Sequence, residues 1–312
     1  MRIRATVAAV SGALALSALA VPAAQADVHA SGGDSTYRAA VAKFLGNGGK
    51  SAFVTSPVDG DLPYELNVSF SNFKVAKSIN VGAGGHVVVP VTYTLTHGTE
   101  VNIKASDFMS GPILYTGADD EDLESLNALQ GEKPATCTAA STTVANCKAN
   151  IDIYPAEGDL TNANAGAVWT AGAFAIALNG QDLSGDTIDP SKIGIKSQRD
   201  LGTTTVRRLS KLTVNATPEP VRKNATITVT GKLTRANWDG PNYTGYATQP
   251  VQLQFRKNGA SAYTVVKTIK TTASGDLKTT VKATVDGFFR YVFAGTATTV
   301  GSSAAADFID VK

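Results

Sequence analysis

From Leu66 onward, apolar residues recur at every second position. Leu66, Val68 and Phe70 share one face, and Val87, Val89, Val91, Tyr93 and Leu95 share another, opposed by Thr92, Thr94 and Thr96. A period of two belongs to strands with one buried side, so these runs predict half-buried antiparallel strands. Gly82, Gly84 and Gly85 predict a turn between a strand at 75–81 and the long strand, and residues 101–105 a short strand after the His97–Gly98 turn. The rhythm breaks over 119–130, an acidic stretch predicted to form one or two helical turns. It resumes at Cys147, Ala149, Ile151 and Ile153 and stops at Tyr154–Pro155. Over 168–178, Phe174, Ile176 and Leu178 fall on one side and small alanines on the other, which lets two layers approach closely. Upstream of all this, Ser35 is placed to cap a helix over 36–45 with Tyr37, Val41 and Phe44 on one face and Gly46 as its stop.

The last third repeats a shorter pattern. After runs at 193–197 and 203–209, strands are predicted at 211–217, 225–234, 251–257, 263–271, 277–284, 287–295 and 304–312. Turn chemistry separates them at Asn258–Gly259, Ser274–Gly275–Asp276 and Asp286–Gly287. Ile227 with Val229, Val251 with Leu253 and Phe255, and Phe289 with Tyr291 and Phe293 form the candidate inner faces. Short strands at this spacing predict an immunoglobulin-like sandwich. The expected plan is all-β with two β-sandwich domains in tandem: a leader at 1–26, a segment with a short helix at 27–63, a β-sandwich at 64–205 and an Ig-like β-sandwich at 206–312. No linker rich in Ser, Gly or Pro separates the two domains, so a very short connection or a shared strand is expected.

The first residues set the compartment. Arg2 and Arg4, the weakly apolar stretch 5–20 and Ala24-Gln25-Ala26 have the form of a secretory signal peptide cut after Ala26. Ser11, Gly12 and Ser17 interrupt that stretch, so it is too short to anchor the chain, and no later apolar span follows. The product is expected to be secreted, extracellular and free of a membrane span. Cleavage leaves 26 Lys and Arg against 26 Asp and Glu, a net charge of zero that offers little attraction to a phosphate backbone, so nucleic acid is not expected as a partner. Cys137 and Cys147, ten positions apart, are expected to form a structural disulfide in that oxidising setting.

The segments Lys211-Leu212-Thr213-Val214-Asn215-Ala216-Thr217-Pro218, Ile227-Thr228-Val229-Thr230-Gly231-Lys232-Leu233, Val251-Gln252-Leu253-Gln254-Phe255-Arg256, Ser274-Gly275-Asp276 and Gly287-Phe288-Phe289-Arg290-Tyr291 resemble the Ig-like module of many actinobacterial secreted proteins. The rest of the chain resembles, less specifically, streptomycete secreted proteins, some of which carry a calcium-binding label. That resemblance implies Ca2+ as a cofactor and supplies no catalytic residues. Two acidic stretches fit a hard cation: Asp119, Asp120, Glu121 and Asp122, whose mutual repulsion it would relieve, and Asp182, Asp186 and Asp189, where oxygen ligands recur. Thr187 and Ile193 stand where a calcium loop needs glycine and glutamate, so the second is not a helix-loop-helix site. Solvated acidic loops explain both stretches as well.

Trp238, Tyr243 and Tyr246, in the loop at 237–249, are a candidate stacking platform for sugar rings, with packing against the neighbouring domain as the alternative. Cell-wall or polysaccharide ligands are the partners this implies. Enzyme signatures are missing: there is no nucleophile elbow, zinc-binding helix or phosphate-cradling loop. Of the three histidines, His29 lies near the N-terminus, and only His86 or His97 could serve a Ser-His-Asp arrangement. The function expected is that of a secreted, non-enzymatic binding or structural protein, with calcium as the ligand the resemblance implies; the alternatives are a cell-wall or carbohydrate-binding protein and a secreted hydrolase.

Overall fold

The computed structural model of the protein describes residues 32–46, 62–116, 127–183 and 188–312. The expected leader at 1–26, the residues Asp119, Asp120, Glu121, Asp122 and Asp186, and the side chain of Phe44 lie outside the described residues. The described residues are all-β apart from helix α1 (Gly32–Gly46) and short 3-10 turns, and their strands form two sandwiches in tandem.

Among the described residues the first sandwich has ten strands: β1 (Tyr64–Glu65), β2 (Val68–Lys74), β3 (Ser78–Val81), β4 (Val87–His97), β5 (Phe108–Thr116), β6 (Asn127–Gln130), β7 (Thr136–Ala139), β8 (Val144–Ile153), β9 (Val168–Ala177) and β10 (Gly194–Arg208). One sheet has the order β1-β10-β9-β5-β6, with β3 parallel to the end of β10, and the facing sheet has the order β2-β4-β8-β7. The alternation read at 87–97 is the inner face of β4: Val89, Val91, Tyr93 and Leu95 are buried, while the residues between them face outward.

Strand β9 is covered on both sides. Its alanines, with Trp169, face the opposing sheet, and Phe174 and Ile176 face outward with Leu178 beyond the strand end. Helix α1 closes that outer face, burying Tyr37, Ala40 and Val41 against Phe174, Ile176, Leu178 and Ile195. The helix begins earlier than the Ser35 cap implies. Gly111 on β5 makes its seat, because a Cβ there would lie 2.4 Å from the Tyr37 hydroxyl. The two sheets are joined by Gln198 at a bulge in β10, where its amide accepts from the Phe70 N–H at 2.8 Å and donates to the Phe70 carbonyl at 2.9 Å, replacing a strand partner.

Two local expectations fail here. Residues 101–105 form turns, not a strand: Asn102 accepts the Lys104 N–H through its side chain, and Ala105 bonds back to Asn102, so local side-chain bonding wins over extension. Residues 127–130, expected in a helical turn, are strand β6, held by pairing with β5 from Ile113 to Thr116.

The second sandwich contains β11 (Ser210–Leu212), β12 (Asn215–Thr217), β13 (Thr226–Ala236), β14 (Tyr243–Gly245), β15 (Pro250–Lys257), β16 (Thr264–Lys270), β17 (Asp276–Lys282), β18 (Gly287–Gly295), β19 (Val300–Ser303) and β20 (Asp307–Ile309). Long β13 pairs with β11 and β12 on one edge and with β14 and β17 on the other; β15 and β18 centre the second sheet, flanked by β16, β19 and β20. Ile227, Val229, Val251, Leu253, Phe289, Tyr291 and Phe293 meet between the sheets, the immunoglobulin-like arrangement anticipated, with Phe255 only half-buried. The single residue Leu209 separates β10 from β11.

Candidate functional site

The loop after β13 leaves its own sandwich and enters the first. Trp238 is 3% exposed and belongs to the first sandwich's core together with Ala236. Its indole N–H donates to the Gly82 carbonyl at 2.9 Å, in the glycine turn between β3 and β4. Tyr243 packs against the same core, its hydroxyl beside Gly82 and its ring under the Lys211 ammonium at 4.0 Å. Burial raises the Tyr243 ionisation, as it does for any phenol losing water.

Asn162 completes the seam from the first sandwich. Its backbone N–H donates to Asp239 Oδ1 at 2.9 Å, its amide donates to Asp239 Oδ2 and Asn237 Oδ1, and its Oδ1 accepts the Trp238 N–H at 3.0 Å. Arg208, at the end of β10, is 4% exposed and donates through Nε to the Ala236 carbonyl. Desolvation lowers its affinity for a proton to a value of about 10, with the nearby Arg235 adding to the effect. Leu209 bonds to both sides, through its N–H to Val81 and its carbonyl to Ala236.

Trp238, Tyr243 and Tyr246 are the candidate sugar platform, and the structure corrects that expectation for the buried rings. A ring as buried as Trp238 has no free face for a sugar, and Tyr246 is buried in the second core, edge-on to Phe293 at 5.7 Å with Arg235 over its ring. Packing between sandwiches, the alternative, is what Trp238 and Tyr243 do. Asn162 carried no recognisable signal, because a polar residue in a turn looks the same whether it meets water or another domain.

Of the acidic candidates, Asp189 is the N-terminal cap of a 3-10 turn: Oδ1 accepts from the Ser191 N–H and hydroxyl, and Oδ2 lies 3.2 Å from Lys192. The hydrogen bond from Ser191, then the interaction with Lys192, hold its carboxyl below the usual range. Asp182 is exposed. Among the described residues no group of three His, Cys, Asp or Glu is placed to hold a metal ion. Cys137 and Cys147 face each other across β7 and β8 and are joined by a disulfide.

A cleft of about 360 Å³ in the first sandwich, lined by Arg38, Glu132, Asp152, Tyr154 and Asp159 together with Ala128 and Leu129, was not anticipated. Beside it His86 bonds to Asp152 at 2.7 Å and stacks on Tyr154 at 4.3 Å between ring centres. The Tyr154 hydroxyl donates to Glu132 at 2.8 Å, which pushes its own ionisation up to about 12, and Arg38 from α1 lies 3.4 Å from the same carboxylate. Asp152 also accepts the Glu132 N–H, so both acids are fixed. The described residues give His86 no hydroxyl or thiol partner, and His97 bonds the adjacent Gly98 carbonyl. Signals for this cleft existed only as isolated residue types scattered over 38–159.

Among the described residues no helix is long and apolar enough to cross a membrane. No family model matches the chain, and no curated protein matches it. Among solved structures, the chain is similar to the superoxide reductase (neelaredoxin) from Ignicoccus hospitalis, at 17% identity over 33% of this chain and 80% of that one, with a TM-score of 0.26. It is similar to the Yersinia pseudotuberculosis adhesin InvE at 13% identity, over 78% of this chain and 58% of that one (TM-score 0.24). It is similar to the D0-D1 domain of intimin at 15% identity, over 77% of this chain and 98% of that one (TM-score 0.24). The architecture described above rests on this protein's own strands.

Proposed function

We propose that the chain is an exported, non-enzymatic binding or structural protein whose two sandwiches are held in one fixed relation. The observation that carries this is the seam. Trp238, Asn162, Asp239 and Arg208 are committed to each other and to backbone groups, so the chemistry-bearing residues of the loop serve positioning. The disulfide and the leader sequence support export. A histidine with a carboxylate but no nucleophile beside it supports a role other than acyl transfer. With the Trp238 platform closed, a carbohydrate role passes to other surfaces. A calcium role passes to the acidic residues other than Asp189, whose oxygens already have partners.

Expression in a bacterial host with its own export machinery, followed by fractionation, N-terminal sequencing and thiol titration, tests the reading. The expected product lies outside the cytoplasm, begins at Asp27 and has no free thiol. Cytoplasmic retention of the uncut chain with two free thiols overturns it.

A further inference from the structure

The net charge of zero conceals a division. Residues 210–312 contain 13 Lys and Arg against 6 Asp and Glu, leaving +7, and residues 27–209 contain 13 against 20, leaving −7. In the second sandwich five of the six carboxylates already have partners: Asp239 in Asn162, Asp276 in Lys232, Asp286 and Asp307 in the Val311 and Ala216 N–H groups, and Asp310 in Lys312.

The outer β15–β18 face of this sandwich presents two guanidiniums and three rings. Arg256 lies 4.3 Å above the Phe288 ring and 5.3 Å from the Tyr263 ring; Arg290 lies 3.7 Å from the same Tyr263 ring. Phe308 packs on Phe288 at 5.1 Å. Side chains at alternate positions of a strand share a face, so Phe288 and Arg290 point outward while Phe289 and Tyr291 fill the core. Arg256 donates through Nη1 to the Ala260 carbonyl and Arg290 through Nε to Gln254. Neither guanidinium is in an ion pair among the described residues, and the remaining N–H donors of each have no partner there.

Two cations flanking one ring repel each other, and ring quadrupoles offset only part of that. A ligand carrying oxyanions relieves it and meets planar forks suited to bidentate carboxylate recognition. The aromatic edges suit sugar rings, and Gln254, which accepts from Arg290 and donates to Gln252, holds the Arg290 guanidinium in place beside them. We propose that the outer β15–β18 face, through Arg256 and Arg290, binds a carboxylate-bearing polysaccharide. This rests on the binding role above and is tested on purified protein, so its failure leaves the export result standing.

The experiment measures retention and affinity of the oxidised chain from Asp27 to Lys312 on polygalacturonate, with neutral amylose, duplex DNA and polyglutamate as comparators. The expected result is binding to polygalacturonate over amylose. It weakens on adding salt, and in Arg256→Gln with Arg290→Gln by about tenfold or more, two charged hydrogen-bonding groups being lost. The charge-matched control, Arg222→Gln with Lys223→Gln in an exposed loop, changes affinity by less than about twofold if charge alone adds little. Arg290→Lys keeps the charge and loses the fork, and it decides the matter if the double variant unfolds: weakened binding supports the proposal, unchanged binding overturns it. Equal loss in the control, tighter binding to DNA or polyglutamate, or salt-sensitive self-association that the double variant abolishes also overturns it.

Discussion

Replacing Trp238 by alanine lowers the stability of the chain by about 3–5 kcal/mol, the range for truncating a buried large aromatic. That corresponds to a fall of roughly 6–20 °C in melting temperature for a protein of this size. The indole contributes apolar area to the first core although it comes from the second sandwich, and its N–H bond to Gly82 is lost along with it. Trp238→Phe keeps most of the area and loses the hydrogen bond, so it costs about 1–2 kcal/mol. Calorimetry is expected to show more than a shift. With the shared side chain gone, the single transition of the intact chain separates into two, because the cores then unfold independently. A drop under about 1 kcal/mol, as for a surface residue, would mean that Trp238 is not buried.

Replacing both Cys137 and Cys147 by serine destabilises the first sandwich by about 2.5–3 kcal/mol, from the closure entropy of a loop this short. The bridge joins directly opposed residues of β7 and β8, and β7 is an edge strand with no second neighbour among the described strands. In the chain with Trp238 intact the loss therefore lowers the one shared transition; made in the Trp238→Ala background, where the cores unfold apart, it falls on the first sandwich alone. Chemical denaturation read out separately in the two sandwiches of that background checks the direction: the midpoint of the first falls and that of the second stays. Serine introduces its own polar hydroxyl at the buried Cys147 position, so a Cys→Ala pair separates bridge loss from that burial cost.

The sandwiches were legible because one side of most strands is wet. Val87 to Leu95 and Phe289 to Phe293 alternate cleanly, and each alternation became an inner face. Strand β9 shows the limit of that logic. The alanines marked one side for a close approach of layers and Phe174 and Ile176 marked the other as apolar, but only the structure shows what covers that second side: helix α1, a third layer. The expected strand at 101–105 failed where Asn102 offered the backbone a local partner.

The site was far less legible. Trp238 bonds across 156 positions to Gly82 and 76 positions to Asn162, and a linear pattern has no means of stating what lies opposite a residue. Aromatic and amide residues in a polar loop suit a sugar and a neighbouring domain equally well. β14 was hidden in the same loop because Gly240, Pro241 and Asn242 read as turn chemistry. The charge division was present in the sequence, visible only when charges are counted on each side of Leu209 and not over the whole chain.

The central claim is that the two sandwiches hold one orientation because Trp238, Tyr243, Asn162 and Asp239 form a shared packed seam. Backbone residual dipolar couplings from the perdeuterated mature chain test it most directly. Couplings from both sandwiches are expected to fit a single alignment tensor oriented as in the structure; two tensors of different magnitude, with the second sandwich averaged relative to the first, would contradict it.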